Sequence, residues 1–430
     1  MPPGHWPVVR WLALWPVSFS WMAVTLLRGA AEVPMRVCNV CLTHDPAYGG
    51  LHRSVQDFAR ALSAPVLSFD NGPFEHGPSD EGKGKHVSVE EGVPVRRIGC
   101  GTGWLARDCH VMSAAVARQG DVAVADADLL VVHSLFRGHA TWAQAWAKQH
   151  GRRYWAVPHG CLDPWGLSHR GLLKRLWLEV RGRSFLAHAD RIVVSSQRSL
   201  EKSLAWIPDG RPADRTVVVH WPVDLPRLDG QAAARTVFRR QHGIPESARL
   251  LFFVGRLHAV KRAIETVRAF CEATAAASLE HCHLAIVGMD GDLTQADIRD
   301  SIPADCRDRV HLIGPLAGAD LAAAHLAGDG FISLSFQENF GYAAAEAMAY
   351  GLPVILSPGH DLAHEMPTRD GRFACGWLLG NDAHAIAVAA IREFATASDA
   401  TLAAAGATGR TWVAETLTFE RFQDTLTAMV

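Results

Sequence analysis

Glu338 and Glu346 stand on either side of Gly341, and alanines surround the second of them. The run Ser335-Phe336-Gln337-Glu338-Asn339-Phe340-Gly341 reads as a loop leaving a strand over 330–334, with a helix over 341–350 after it. Such a loop can offer carboxylates to sugar hydroxyls while the unpaired amides of the helix start receive phosphate oxygens. Ala343 to Ala345 and Ala347 to Ala349 make small apolar surroundings for Glu346, where a carboxylate costs free energy unless donors meet it. The plain alternatives are a capping carboxylate at Glu338 and a surface position for Glu346. A second cluster, Gly255-Arg256-Leu257 with Lys261-Arg262, lies where a strand over 249–254 runs into a helix over 260–276. A glycine that admits close backbone approach, two cations and helix-start amides together suit a diphosphate. Solvated side chains at a helix start are the competing reading, although the macrodipole disfavours cations in a first turn.

The elements that must position these residues alternate. Short β-branched runs at 36–42, 129–133, 154–157, 191–194 and 216–219 read as strands, with helices at 50–62, 107–118, 138–149, 170–189 and 197–204. The segment 205–248, rich in Pro, Asp, Arg and Gly, interrupts the pattern and reads as a linker. Alternation resumes with strands at 249–254, 283–287, 309–312, 330–334 and 353–356 and helices at 260–276, 318–326, 341–350 and 382–397. This is an α/β chain of two Rossmann-like domains with parallel sheets, 35–225 and 226–408, facing a central cleft. Ligands of open parallel sheets bind beyond the carboxyl ends of the strands, so residues just past strands are the ones to inspect. His133 ends one strand, and His159 follows another. The final segment, 409–430, carries Trp412, Val413, Leu417, Phe419, Phe422 and Leu426 at spacings of an amphipathic helix.

Composition bounds the rest. The 430 residues are 49% hydrophobic and 20% charged, enough to bury a large core. Lys plus Arg number 42 against 44 Asp plus Glu, so no whole-molecule field draws the chain to nucleic acid or acidic lipid. Nine scattered cysteines argue against a disulfide framework and fit a reducing cytoplasm. Cys38 and Cys41 lie inside an apolar run without a second pair at ligand spacing, so no metal site is expected. The aspartate pairs Asp126/Asp128 and Asp290/Asp292 read as loop or cap residues. Residues 11–27 carry no charge but hold Pro16, which is marginal for a membrane span, and Arg10 before them resembles a signal-peptide start. Met35 opens a plausible first strand, so residues 1–34 read as an apolar extension outside the fold.

The Glu338-to-Glu346 element with Asn-Phe-Gly after the first glutamate resembles the signature of retaining glycosyltransferases of family 4, which have the GT-B fold. Gly255-Arg256 followed by Lys261 is similar to that family's diphosphate-binding pair, and Gly49-Gly50 to its N-terminal glycine loop. Pro158-His159-Gly160-Cys161-Leu162-Asp163-Pro164-Trp165 resembles a stretch common in its polysaccharide-building members. The resemblance runs from about Met35 to the C-terminus and implies transfer of a sugar from a nucleotide-sugar donor to a glycan or lipid-linked saccharide acceptor, in cell-surface polysaccharide assembly. It implies that Glu346 holds the donor ribose and Glu338 the donor sugar, assisted by Asn339 and the amides of Phe340 and Gly341. Arg256 and Lys261 would neutralise the leaving diphosphate, Gly49 and Gly50 would admit the N-terminal domain close to it, and His159 would meet the sugar. No divalent metal and no cofactor beyond the donor is then required, and the stereochemistry would be retention. The tail 409–430 would cross back to the N-terminal domain.

One departure stands out: His220-Trp221-Pro222-Val223-Asp224 replaces the family's frequent Asn-Gly before Val-Asp. The rivals are a dinucleotide oxidoreductase, a non-catalytic sugar-binding or partner subunit, and a nucleotide-sugar hydrolase, epimerase or phosphorylase on the same fold. For the first, a glycine frame runs from Gly99 or Gly101 towards Ala106, with Asp121 at the distance of a ribose ligand; but Trp104 blocks one frame, and Val93 to Ile98, holding Pro94, Arg96 and Arg97, makes a poor central strand. The apolar N-terminus, Trp165 and Trp177 suit a cytoplasmic protein peripherally associated with the inner membrane face, while no nucleic-acid partner is expected.

Overall fold

A computed structural model describes residues 35–70, 86–100, 111–168, 171–207, 215–228, 231–275, 277–380 and 383–430. The uncharged stretch 11–27, the glycine frame beyond Cys100 and the first residues of the helix expected at 107–118 lie outside these residues. Arg36–Val430 forms one compact unit built on two sheets.

The first sheet has eight strands: β1 (Val37–Cys41), β2 (Val66–Ser68), β3 (His86–Glu90), β4 (Val93–Arg97), β5 (Leu129–His133), β6 (Arg153–Val157), β7 (Arg191–Val194) and β8 (Thr216–Val218), in the order β3-β4-β2-β1-β5-β6-β7-β8. Every pairing is parallel except β3 with β4, an antiparallel edge. β1 and β5 are buried along their whole lengths, as expected of central parallel strands covered on both faces. The register sets Asn39 beside Val131 and His133 beside Val157, so the carboxyl ends of β1, β5 and β6 lie side by side.

The second sheet joins β9 (Arg249–Val254), β10 (Cys282–Val287), β11 (Val310–Ile313), β12 (Gly330–Ser333), β13 (Val354–Leu356) and β16 (Gly376–Leu378) in the order β11-β10-β9-β12-β13-β16, all parallel. A short hairpin, β14 (Thr368–Arg369) with β15 (Arg372–Phe373), precedes its last strand. The helices are α1 (Gly50–Ala61), α2 (Ala114–Ala123), α3 (Gly138–His150), α4 (Pro164–Ser168), α5 (Gly171–Trp177), α6 (Arg183–His188), α7 (Gln197–Leu204), α8 (Gln231–Gln241), α9 (Ala263–Ala273), α10 (Gln295–Asp300), α11 (Gly318–Ala327), α12 (Tyr342–Ala349), α13 (Ala383–Thr396), α14 (Asp399–Thr416) and α15 (Phe419–Met429). This is the GT-B arrangement of two Rossmann-like halves.

Three sequence expectations are corrected. The segment 205–248 is not a bare linker: beyond the expected strand at 216–219, seen as β8, it holds α8, and the guanidinium of Arg239 on α8 is fully buried. That guanidinium donates to the carbonyls of Ala327, Pro245, Glu246 and Ala248 and pairs with Asp329, so its charge and its donors are met. The run 93–98, read as a poor strand, forms β4: it sits next to the sheet edge, where Val93 and Val95 face inward and Pro94 falls on its pairing with the edge strand β3. The tail 409–430 is not one helix: α14 ends at Thr416, and Thr418 caps α15 by accepting from the Arg421 amide. The Asp pairs are loop and ion-pair residues. Asp128 pairs with Arg36 and Arg152, Asp290 accepts from the Gln295 amide, and Asp292 accepts from the Ala259 amide.

The chain returns to the first half at its end. The Val223 amide donates to Leu417 O at 2.8 Å, Gln423 Nε2 donates to Ala61 O at 3.2 Å, and the Phe422 ring packs edge-on against Phe58 on α1. Phe422 and Leu426 are buried in this contact.

Candidate active site

Both glutamates of the second half lie around the start of α12, and each is tied to a cation. Glu338 accepts from Lys261 Nζ and, at 2.9 Å, from the Ser335 hydroxyl; that hydroxyl lies 3.0 Å from the Ser333 hydroxyl, which meets His360 Nε2 at 2.9 Å. Burial pushes the Glu338 carboxyl up, but Lys261, His360 and Ser335 outweigh it and hold the group below its ordinary value. Glu346, one helical turn into α12, is largely buried and pairs with Arg53. Its pKa is raised by that burial, which Arg53 only partly offsets.

Gly341 between them has φ +82°, and a Cβ there would stand 3.0 Å from His360 Nδ1. The position therefore needs glycine twice over, for the left-handed turn and for room. The amides of Phe340, Gly341, Tyr342 and Ala343 have no hydrogen-bond acceptor among the described residues and form the open N-terminus of α12. Lys261 does not begin a helix as expected. It closes a 3-10 turn, Ala259–Lys261, and Arg262 follows in the left-handed region at φ +56° before α9 starts. This kink brings the ammonium back to Glu338. Arg256 is exposed, and its guanidinium has no partner among the described residues.

The first half contributes neutral groups. Asn39 from β1, His133 at the end of β5 and His159 just past β6 form a chain: His133 Nε2 donates to Asn39 Oδ1 at 3.1 Å, and His133 Nδ1 lies 2.9 Å from His159 Nε2. With Nε2 of His133 protonated, its Nδ1 accepts from His159 Nε2, which leaves His159 Nδ1 as an acceptor. His139 Nε2 donates to the carbonyl of His133 at 2.9 Å and braces the strand end. Burial pushes His159 down to about 3 and His133 well below its ordinary value, so both rings are neutral near pH 7. Ser134, Phe136 and His159 all adopt positive φ, so backbone strain collects at the ends of β5 and β6.

The structure brings the two halves together through residues that the sequence reading missed. Arg53 on α1 pairs with Glu346, reaches Asp224 at 3.2 Å and stacks over the Tyr342 ring. A Cβ on Gly50 would lie 3.1 Å from that ring, so the glycines opening α1 admit α12 closely. The signal for Arg53 was present: a cation one turn past Gly49-Gly50 shares their end of the helix. Asn339, expected at the ligand, is occupied: its Nδ2 donates to Ser199 and its Oδ1 accepts from Ser195. Gln337 spans the same gap, donating to Asp163 and accepting from the Trp165 amide. Lys202 links Asp163 and Asp361, and His220 pairs with Glu365 at 2.8 Å. Trp221, at the departure from the family pattern, is buried against Phe58 and 5.8 Å from the His159 ring.

Two largely buried carboxylates, a lysine and an open helix start in the second half, with neutral imidazoles at the strand ends of the first, form the candidate site, and the two-sheet fold around it is that of a GT-B glycosyltransferase. Comparison with known proteins agrees. Residues 49–222 match the glycosyl transferase 4-like domain, and residues 248–396 match the glycosyl transferases group 1 domain. The chain belongs to the family 4, group 1 glycosyltransferases and is a transferase enzyme. It is 26% identical over 340 residues to the GDP-mannose:cellobiosyl-diphosphopolyprenol alpha-mannosyltransferase of Komagataeibacter xylinus, covering 75% of each chain. It is 26% identical to the D-inositol 3-phosphate glycosyltransferase of Thermobifida fusca, over 78% of each. Among solved structures, sucrose-phosphate synthase from Thermosynechococcus elongatus superposes with a TM-score of 0.72 at 18% identity, over 92% of this chain and 98% of that one. HepE of Anabaena in complex with UDP and glucose gives 0.69 at 16%, with the same coverage.

Proposed function

We propose that this enzyme takes a sugar from a nucleotide-sugar donor and passes it, with retention at the anomeric carbon, to a lipid-linked saccharide at the cytoplasmic face of the membrane. The observation that carries the reading is the pair of largely buried carboxylates, Glu338 and Glu346, each tied to a cation and set around the open N-terminus of α12. Glu346 gives one oxygen to Arg53, which leaves the other for ribose hydroxyls. Glu338, fixed by Lys261 and Ser335, receives sugar hydroxyls. The leaving diphosphate gains negative charge as the glycosidic bond breaks, and Lys261, the free Arg256 and the α12 amides meet it without requiring a metal. The acceptor hydroxyl attacks from the face that the diphosphate leaves, its oxygen bonding to the anomeric carbon as the bond to the diphosphate breaks and its proton passing to the departing diphosphate oxygen. His159, neutral and with Nδ1 as acceptor, receives a hydroxyl rather than serving as an acid.

The donor class is supported by relatives that carry GDP-mannose in their names and by a neighbour of the same fold bound to UDP and glucose. The acceptor class is supported by the diphosphopolyprenol named for the mannosyltransferases. The test is a thermal-shift screen of the full chain against UDP-, GDP-, ADP- and dTDP-sugars, with Glu346→Ala and Lys261→Ala as controls. A donor at 100 times its dissociation constant should stabilise the protein by about 2.7 kcal/mol. One nucleotide class that raises the melting temperature, an effect both controls lose, supports the reading. A folded protein that binds none would favour a non-catalytic partner subunit instead.

A further inference from the structure

The helical stretch that follows α4 carries a surface that the transfer reaction does not use. Leu172, Leu176 and Val180 repeat every four residues and are 84%, 58% and 63% exposed; Leu173 beside them is 66% exposed. Four large aliphatic side chains in one exposed stripe are out of place on an ordinary soluble face, where such residues occur singly. Arg175 and Arg181 flank the stripe, both exposed and both without an ion-pair partner among the described residues. The other side of the stretch is anchored: Leu178 is fully buried, Trp177 packs edge-on against Phe136, and Lys174 donates to Gly166 O. The stripe is thus held outward by a rigid base.

Its place matters. The preceding helix, α4, meets the loop that carries Glu338: the Trp165 ring packs on Phe336 and the Trp165 amide donates to Gln337. Only a few residues separate that contact from the first exposed leucine.

We propose that the stretch Leu172–Arg181 is a membrane-docking surface that sits in the interface of an anionic bilayer beside the mouth of the cleft. The occupant follows from the chemistry: aliphatic side chains enter the acyl boundary while unpaired arginines meet lipid phosphates. A second copy of the chain would bury the stripe, but it would leave both arginines to be matched by acidic groups that the stripe itself lacks apart from Glu179, already paired with Arg183. Docked this way, a saccharide carried on a membrane-anchored lipid presents its sugar to the cleft edge. The proposal rests on the lipid-linked acceptor reading above and specifies how such an acceptor is reached.

The experiment is co-sedimentation of the full chain with vesicles of phosphatidylcholine alone or mixed with phosphatidylglycerol, at low and high salt. Wild type is expected to bind the mixed vesicles, and salt is expected to weaken that binding. A variant with Leu172→Asp, Leu176→Asp and Val180→Asp is expected to lose at least about tenfold in vesicle affinity. Arg175→Glu with Arg181→Glu is expected to abolish the preference for anionic lipid. All these positions are exposed, and the nucleotide-sugar thermal shift of each variant, expected to match wild type, separates failure of this surface from failure of the donor reading. Wild type that ignores both vesicles overturns the proposal, as does a triple variant that binds as well as wild type. A wild-type dimer that the triple variant dissolves, without vesicle binding, overturns it in favour of a second copy.

Discussion

The two halves of the cleft solve the same positioning problem with opposite electrostatics. The second half works with charge: Glu338 with Lys261, Glu346 with Arg53 borrowed from α1 of the first half, and four unpaired amides at α12. The strand ends of the first half work with neutral hydrogen bonding, through Asn39, His133 and His159 in series, both imidazoles pushed down by burial. The division fits the reaction. A diphosphate leaving group builds charge that only fixed cations and dipoles can meet, while an incoming acceptor hydroxyl needs a neutral partner that does not compete for that charge.

The largest expected effect breaks the charged half. Lys261→Ala should lower kcat by about 10²–10³, the loss typical of one transition-state donor, and should lower the melting temperature too, because Glu338 remains buried without its cation. Steady-state kinetics and a thermal melt read both. A chain ending at Leu417, without α15, should lose roughly 3–6 kcal/mol, since Phe422 and Leu426 are buried against the first half; a denaturant titration measures it. His159→Ala should then sharpen the comparison: transfer falls by about 10–10², the value of one hydrogen bond to a hydroxyl, while affinity for the free nucleoside diphosphate stays at the wild-type value in calorimetry.

The smallest effect concerns the seam between the halves. Burial, opposed by Lys202 and reinforced by Asp361, pushes the Asp163 carboxyl up to about 7. The folded protein therefore keeps a proton that the unfolded chain releases, so this contribution stabilises the fold at low pH and is lost as pH rises from the ordinary carboxylate range to about 7. Asp163→Asn should lose less melting temperature than wild type between about pH 5 and about pH 8.

The same contrast decides how much the sequence revealed. Glu338, Gly341 and Glu346 lie within one strand-loop-helix unit, and Gly255 and Lys261 within another, so local spacing alone was enough to single them out as candidates. The first half assembles single residues from the ends of separate strands and from α1. His159 was singled out by the stretch around it, and Arg53 left a local trace beside Gly49-Gly50, but the contacts of Asn39 with His133 and of Arg53 with Glu346 arise only through register and domain contact. Asn339 shows what spacing leaves out. It sits inside a legible motif, yet Ser195 and Ser199 take both ends of its amide. The α8 helix was invisible for a physical reason as well: its polar, basic composition reads as linker because nothing local reveals that Arg239 finds four carbonyls and a carboxylate.

The central claim is that the charged groups around α12, and not the neutral imidazoles of the first half, hold the nucleotide. Calorimetric titration of the nucleoside diphosphate identified by the donor screen into wild type, Glu346→Ala and His133→Ala tests it most directly. The account predicts that Glu346→Ala weakens binding by at least about tenfold, the value of one charged hydrogen bond, and that His133→Ala binds as wild type does. Equal weakening in both variants, or loss in His133→Ala alone, would contradict it.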